Sequence, residues 1–140
     1  MAKTMVIPSD LNEGRKLAEM LLCQARSCGY GEDVCFAISL AVEEALINAI
    51  KHGNRGDASK KVTVVADVGP ELARIVVVDE GGGFDPSSVP DPTLDENLEK
   101  PSGRGIMLMR AYMDEVSFNR QGNAVTMIKR RPAEESKAES

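Results

Sequence analysis

AVEEALINAIKHGN, residues 41–54, is the stretch that decides how this chain folds. It continues a pattern that begins near Gly31 and stops at Gly53, so it reads as the second half of a helix from about Gly31 to His52. Take Glu44 as origin and step about 100° per residue. Ile38, Ala41, Val42, Ala45 and Ala49 then fall in one apolar arc, and Phe36, Leu40, Ile47 and Ile50 fall mostly on the other side. A helix that is apolar on both flanks is buried or nearly so. Between the flanks Glu44, Asn48, Lys51 and His52 follow at i, i+4, i+7 and i+8 and share one stripe, whereas Glu43 points elsewhere. Such a stripe is either the solvated edge of a core helix or the wall of a cleft. As a wall it suits a divalent cation and phosphates. Asn is a neutral oxygen ligand, Glu can hold or activate a water, and Lys is a point charge.

The neighbouring segments give that helix something to lie on. KTMVIPS is a short strand ending at Pro8, and SDLNEGRKLAEMLLCQARSCG is an amphipathic helix capped by Ser9 or Asp10 and ended by Gly29. KVTVVADV and ELARIVVVDE are strands joined at Gly69-Pro70, a hairpin. GRGIMLMRAYM is a helix opened by glycines, and DEVSFNRQGNAVTMIKR is a last hairpin turning at Gln121-Gly122-Asn123. The order is therefore β, α, α, β, β, long loop, α, β, β. Hairpin-linked strands predict a mixed, mainly antiparallel sheet covered on one face by three helices, a two-layer α/β sandwich. The segment from Gly81 to Ser102 is rich in Gly, Pro, Asp and Ser. Structureless loops beyond about 12–15 residues are uncommon in compact domains and are often functional lids.

Composition narrows the function. The 140 residues, 42% hydrophobic and 28% charged, fit one globular domain, expected over residues 1–131 with a disordered tail at 132–140. Seventeen basic against 22 acidic residues give −5, and there is no Trp, which argues against a nucleic-acid footprint or a base-stacking surface. The start lacks the apolar core of a signal peptide, and no apolar run reaches the roughly 18 residues of a membrane span. A cytoplasmic location is the expectation. Cys23, Cys28 and Cys35 are odd in number, match no common zinc spacing and read as unpaired thiols.

Two further motifs carry chemistry. In RIVVVDEGGGFDP, Asp79 stands where the strand runs out and Gly81, Gly82 and Gly83 follow. A carboxylate there can accept a hydrogen bond from the exocyclic amine of a base, and the glycines allow a close approach or positive φ. A tight turn capped by the Asp side chain explains the same letters equally well. In SGRGIMLM, Gly103 and Gly105 open a helix whose free N–H groups and dipole favour an anion, with Arg104 between them. A plain loop-to-helix junction has the same pattern.

Taken in order, these segments resemble the GHKL (Bergerat-fold) ATPases, which include histidine-kinase catalytic domains, type II topoisomerases and the anti-sigma-factor serine kinases. The N box is EEALINAIKHGN, the G1 box DEGGGFDP and the G2 box GRGIMLM. The chain is most similar to the small single-domain anti-sigma kinases, down to MDEV before the penultimate strand. That resemblance implies ATP and Mg²⁺ as cofactors. It implies Glu44 as general base, Asn48 as Mg²⁺ ligand and Asp79 as the carboxylate that reads adenine. Gly81, Gly83, Gly103 and Gly105 become hinge glycines of an ATP lid at about 85–102. Lys51 matches a position that meets phosphate, and His52 a frequent family histidine of structural or phosphate-side role. Where some such kinases have a polar residue before the G2 glycines, this chain has Lys100-Pro101, so Lys100 or Arg104 would supply that charge.

The implied function is an anti-sigma factor that phosphorylates a Ser or Thr of an anti-anti-sigma (STAS-type) partner, sequesters a sigma factor and dimerises through its sheet. One alternative is a nucleotide-dependent switch without catalysis, against which Glu44 argues. The other is a stand-alone histidine-kinase catalytic domain, which would have to act on a histidine elsewhere, because the sole histidine, His52, lies in the N box.

Overall fold

The chain enters through β1 (Lys3–Pro8) and turns at Ser9 into α1 (Leu11–Ser27). Of the two expected caps, Asp10 serves. It is extended, and its carboxylate accepts from the N–H groups of Asn12 at 2.7 Å and Glu13 at 3.4 Å, filling donors that a first turn leaves open. Gly29, at φ 88°, follows the last turn and ends the helix. This computed structural model describes residues 2–81 and 103–132. The expected lid, Gly83 and the tail from 133 lie outside them.

The second helix is two structures in one. α2 is regular over Glu32–Ile47, and Asn48–Gly53 continues it as a π-helix. The single regular helix expected to His52 is thus corrected over its last turn. Asn54 N–H donates to Ala49 O at 2.8 Å, the i→i−5 bond of the wider turn. Each residue of a π turn advances through less angle than in an α turn, so Lys51 lags the position that α periodicity gives it.

Alternate residues are buried in β2 (Lys61–Val68), at Val62, Val64 and Ala66, and in β3 (Leu72–Asp79), at Ala73, Ile75, Val77 and Asp79, as the period of a strand requires. After α3 (Gly103–Tyr112) come β4 (Glu115–Phe118) and β5 (Ala124–Arg130). The five strands lie in the order β1-β2-β3-β5-β4, and all four pairings are antiparallel. The pairing of β3 with β5 ends at Val78 opposite Ala124, and Asp79 N–H then donates to Asn123 O at 2.9 Å. Asp79 therefore stands on the last rung.

All three helices cover one face, with α2 packed between α1 and α3. Val62, Val64, Ile75, Val77 and Met127 of the sheet meet Leu21, Ile38, Val42, Leu46 and Met109 of the helices. Burying each large aliphatic side chain contributes about 1.5–3 kcal/mol, and this shared core fixes α2 above the ends of β2 and β3. Arg131 adds a tie after β5: its guanidinium lies 4.8 Å from the Tyr30 ring and donates to the Cys28 and Gly29 carbonyls at the end of α1. The opposite face of the sheet presents Val6, Thr63, Val65, Val76, Val78 and Thr126, and no element among the described residues covers it. The three cysteines are free thiols, Cys23 exposed, Cys28 half-buried and Cys35 buried.

Ile38, with none of its surface exposed, faces the sheet from the middle of α2. Ile38→Ala is expected to lower stability by about 2–5 kcal/mol, read as a lower urea midpoint with unchanged slope. A loss below about 1 kcal/mol would mean that α2 is not the central core helix.

Candidate functional site

Two clusters flank α2 and its π turn. The first joins the helix to the start of α3. A Cβ built on Gly105 would lie 3.2 Å from Glu44 Oε2 and 3.3 Å from Asn48 Nδ2. The backbone of α3 thus rests against both side chains, and glycine keeps that space open. Glu44 is half-buried, and burial first, then the neighbouring charge of Glu43, raises its pKa above the ordinary glutamate value. Asn48 Nδ2 is buried without a hydrogen-bond partner among the described residues. Leaving such an amide unpaired costs about 1–3 kcal/mol, and buried polar groups are so regularly paired that an exception points to strain, a catalytic role or a bound water or ion.

The second cluster is at the end of β3. Asp79 is 8% exposed, and its Oδ1 accepts from Gly81 N–H at 2.8 Å. This is the Asx turn that the sequence left open, built beneath a close approach of two backbones. A Cβ on Gly53 would sit 2.3 Å from Asp79 Cγ, and one on Gly81 would sit 1.7 Å from the carbonyl oxygen of Gly53. Neither glycine has a positive φ, so proximity and not backbone conformation excludes a side chain at both positions. Burial raises the Asp79 pKa, opposed by the Gly81 N–H and by the charge of Lys60.

Sequence reasoning missed Asn54. Its side chain has no exposed surface. Nδ2 donates to Ser9 Oγ at 3.0 Å and to Lys61 O at 2.9 Å, and Oδ1 accepts from Glu80 N–H at 2.8 Å. Ser9 Oγ donates onward to Lys60 O at 2.9 Å. An Asn after a helix-ending Gly looks like an ordinary turn residue, and its three partners lie in segments that only the fold brings together. Asn123 is the second such residue. It holds the Asp79 peptide from the other side, accepting from its N–H and donating from Nδ2 to its carbonyl at 3.3 Å.

The structure therefore brings Glu44, Asn48 and Gly105 together, and Asp79 and Gly81 together with Gly53. Lys51 is not among the contacts that join Glu44, Asn48 and Gly105. Lys51 is exposed and lines a groove of about 100 Å³ with Glu43, Ile47, Leu11 and Arg15, on the α1 side of the helix. His52 is half-buried within the π turn. Gly103 and Arg104 open α3, and the Arg104 side chain, like Gly83, lies outside the described residues.

With this geometry in view, comparison with known proteins is informative. Residues 7–129 match the family described as the histidine kinase-like ATPase domain. The chain belongs to that family. It is 32% identical over 114 residues to the serine-protein kinase RsbW of Bacillus subtilis, spanning 75% of this chain and 70% of the relative. It is 35% identical over 94 residues to the anti-sigma F factor of Clostridium perfringens, spanning 65% and 66%. Among solved structures, the RsbU and RsbW domains of Rv1364c from Mycobacterium tuberculosis match with TM-score 0.67 and 19% identity. That match covers 95% of this chain and 33% of the longer one, and it supports the two-layer fold. No helix among the described residues is long and apolar enough to cross a membrane.

Because burial raises the Asp79 pKa, the folded chain binds that proton more tightly than the unfolded one. The stability this contributes is present below the unfolded carboxylate pKa, about 3.9, and is lost as pH rises through the higher folded value. Asp79→Asn keeps an acceptor for Gly81 and removes the buried charge. The variant is expected to exceed wild type in stability at pH 7 by about 0.5–2 kcal/mol. The gap should close towards about pH 4. Denaturation curves across that range check it, and a variant equally stable at all pH values would refute the burial argument.

Proposed function

We propose that this chain is an ATP-dependent serine/threonine protein kinase of the anti-sigma type, phosphorylating an anti-anti-sigma (STAS-type) protein and sequestering a sigma factor. The observation that carries the reading is the Glu44–Asn48–Gly105 contact, where a buried amide lacks a partner beside a carboxylate of raised pKa. The named relatives, serine-protein kinases and an anti-sigma factor, support the substrate class.

The residues fit Mg²⁺ and ATP. Asn48 offers one neutral side-chain oxygen, and among the described residues no three His, Cys, Asp or Glu gather into a cage. A cation that keeps most of its waters and binds chiefly to phosphates needs no more than that. When bound, Mg²⁺ would neutralise charge on the triphosphate. Asp79 accepts from the exocyclic amine of adenine. The N–H groups at the start of α3 face the phosphates, which Gly105 lets approach closely. Glu44 takes the proton of the partner's hydroxyl as that oxygen attacks the γ-phosphorus, and the bond to the bridging oxygen of ADP breaks in line.

The raised pKa of Glu44 makes it a stronger base than an exposed glutamate. The uncovered sheet face, with Val6 59% exposed among Val65, Val76 and Val78, supports a homodimer formed through the sheet. We place the protein in the cytoplasm, with the lid at about 85–102.

The test is transfer from radiolabelled ATP to STAS-type proteins. Wild type is expected to label a Ser or Thr, and Glu44→Gln to keep ATP affinity while losing roughly 10²–10⁴-fold in transfer rate. An unchanged rate would remove Glu44 from the chemistry. Asn48→Ala should weaken Mg-ATP binding itself.

Transfer should also fall on the acid side as Glu44 becomes protonated. The midpoint should lie above the ordinary glutamate value of about 4.3. A rate constant in pH down to that value would contradict the assigned base.

A further inference from the structure

We propose that Asn54 is a positioning residue for base recognition, setting the depth at which Asp79 meets the nucleotide. The proposal rests on the ATP reading above and extends it to a residue that touches no ligand. Asp79 selects an amine over a carbonyl only if its carboxylate is held still, since a loose acid accommodates either. Its peptide is gripped on one side by Asn123. On the other side the chain leaves β3, and the next N–H, that of Glu80, is held by Asn54 Oδ1 at 2.8 Å.

Asn54 is itself immobile. It is fully buried, and both Nδ2 hydrogens have acceptors, Ser9 Oγ and Lys61 O. Its own N–H closes the π turn on Ala49 O. One side chain thus links the turn that carries Gly53, the junction of β1 with α1, the first residue of β2 and the residue after Asp79. Gly53 abuts the Asp79 carboxylate and Gly81 abuts Gly53. Any slack at Asn54 therefore passes directly into the position of the carboxylate. A residue of purely structural role would weaken all nucleotides alike, whereas this arrangement ties Asn54 to discrimination at the base.

The experiment compares Mg-ATP with Mg-inosine triphosphate, which carries a carbonyl in place of the amine, by calorimetric titration of the full chain. Wild type should prefer ATP by at least about tenfold, as expected when a buried acceptor loses its donor. Asn54→Ala should lose about tenfold in ATP affinity and change little for inosine triphosphate, collapsing the ratio. Asn54→Asp keeps the acceptor for Glu80 and loses both donors, and it should give an intermediate ratio. Ser9→Ala removes one partner of Nδ2 and should lower the ratio by about two- to threefold.

If Asn54→Ala does not fold, the latter two variants decide the matter. A folded variant with the wild-type ratio, or with equal losses for both nucleotides, overturns the proposal and leaves the ATP site standing. Wild type that binds neither nucleotide overturns the ATP reading, and the proposal falls with it. Wild type that binds both equally shows that Asp79 does not read the amine, which also ends the proposal.

Discussion

Gly53 and Gly81 meet backbone to backbone over the carboxylate of Asp79, with no room for a single methyl group at either position. Much else follows from that contact. A regular α-helix ending at Gly53 would present a different edge to β3, and the wider π turn is what delivers the Gly53 carbonyl to Gly81. The turn is held by the bond from Asn54 to Ala49, and Asn54 is held by Ser9, Lys61 and Glu80. Irregular helix, buried amide and twin glycines are thus one solution to one constraint: a helix end and a strand end must meet at contact distance beside a buried acid. π segments inside α-helices occur frequently at functional sites for the same reason, since they re-aim side chains that α periodicity would fix.

The regular parts of the fold were legible because they follow from periodicity. Alternating Val and Ala in KVTVVADV could bury only one face, and the apolar arc through Ile38, Val42 and Ala45 could lie only on a sheet. Asp10 and Gly29 marked the ends of α1 by their own chemistry. The glycines of the site were legible as glycines, but the reason for them was not. At residues 53 and 81 it is contact and not φ, and contact is a property of two segments that a linear reading cannot place together. Asn54 was illegible for the same reason: its partners lie 45, 7 and 26 residues away. The π turn from Asn48 to Gly53 was illegible because the helical wheel assumes a constant step through a turn that does not have one.

Two carboxyls of raised pKa in a chain of net charge −5 run against stability. Glu44 and Asp79 are each pushed up chiefly by burial, and among the described residues neither shows a full ion pair that would return the desolvation cost. A structural acid would be expected to find an arginine. Here the nearer groups are Glu43, which makes matters worse for Glu44, and Lys60, which only partly offsets the burial of Asp79. The site thus holds two carboxyls of raised pKa and, at Asn48 Nδ2, a buried N–H donor without an acceptor among the described residues. On the proposed reading, a metal-bound nucleotide facing a hydroxyl substrate would occupy this site.

The place of Lys51 bears on where positive charge comes from. A triphosphate needs cationic partners besides a metal ion. Lys51 lines the groove with Glu43 and Arg15. On the proposed reading, phosphate contacts then fall to the backbone at the start of α3 and to the basic residues just before and within its first turn, Lys100 and Arg104. Gly105 permits that approach by leaving open the space between α3 and the Glu44–Asn48 wall. The base end and the phosphate end of the site are therefore built differently. The base end is a rigid frame of buried amides and touching backbones. On the proposed reading the phosphate end would draw its charge from Lys100 and Arg104, so productive geometry there would depend on how α3 is entered.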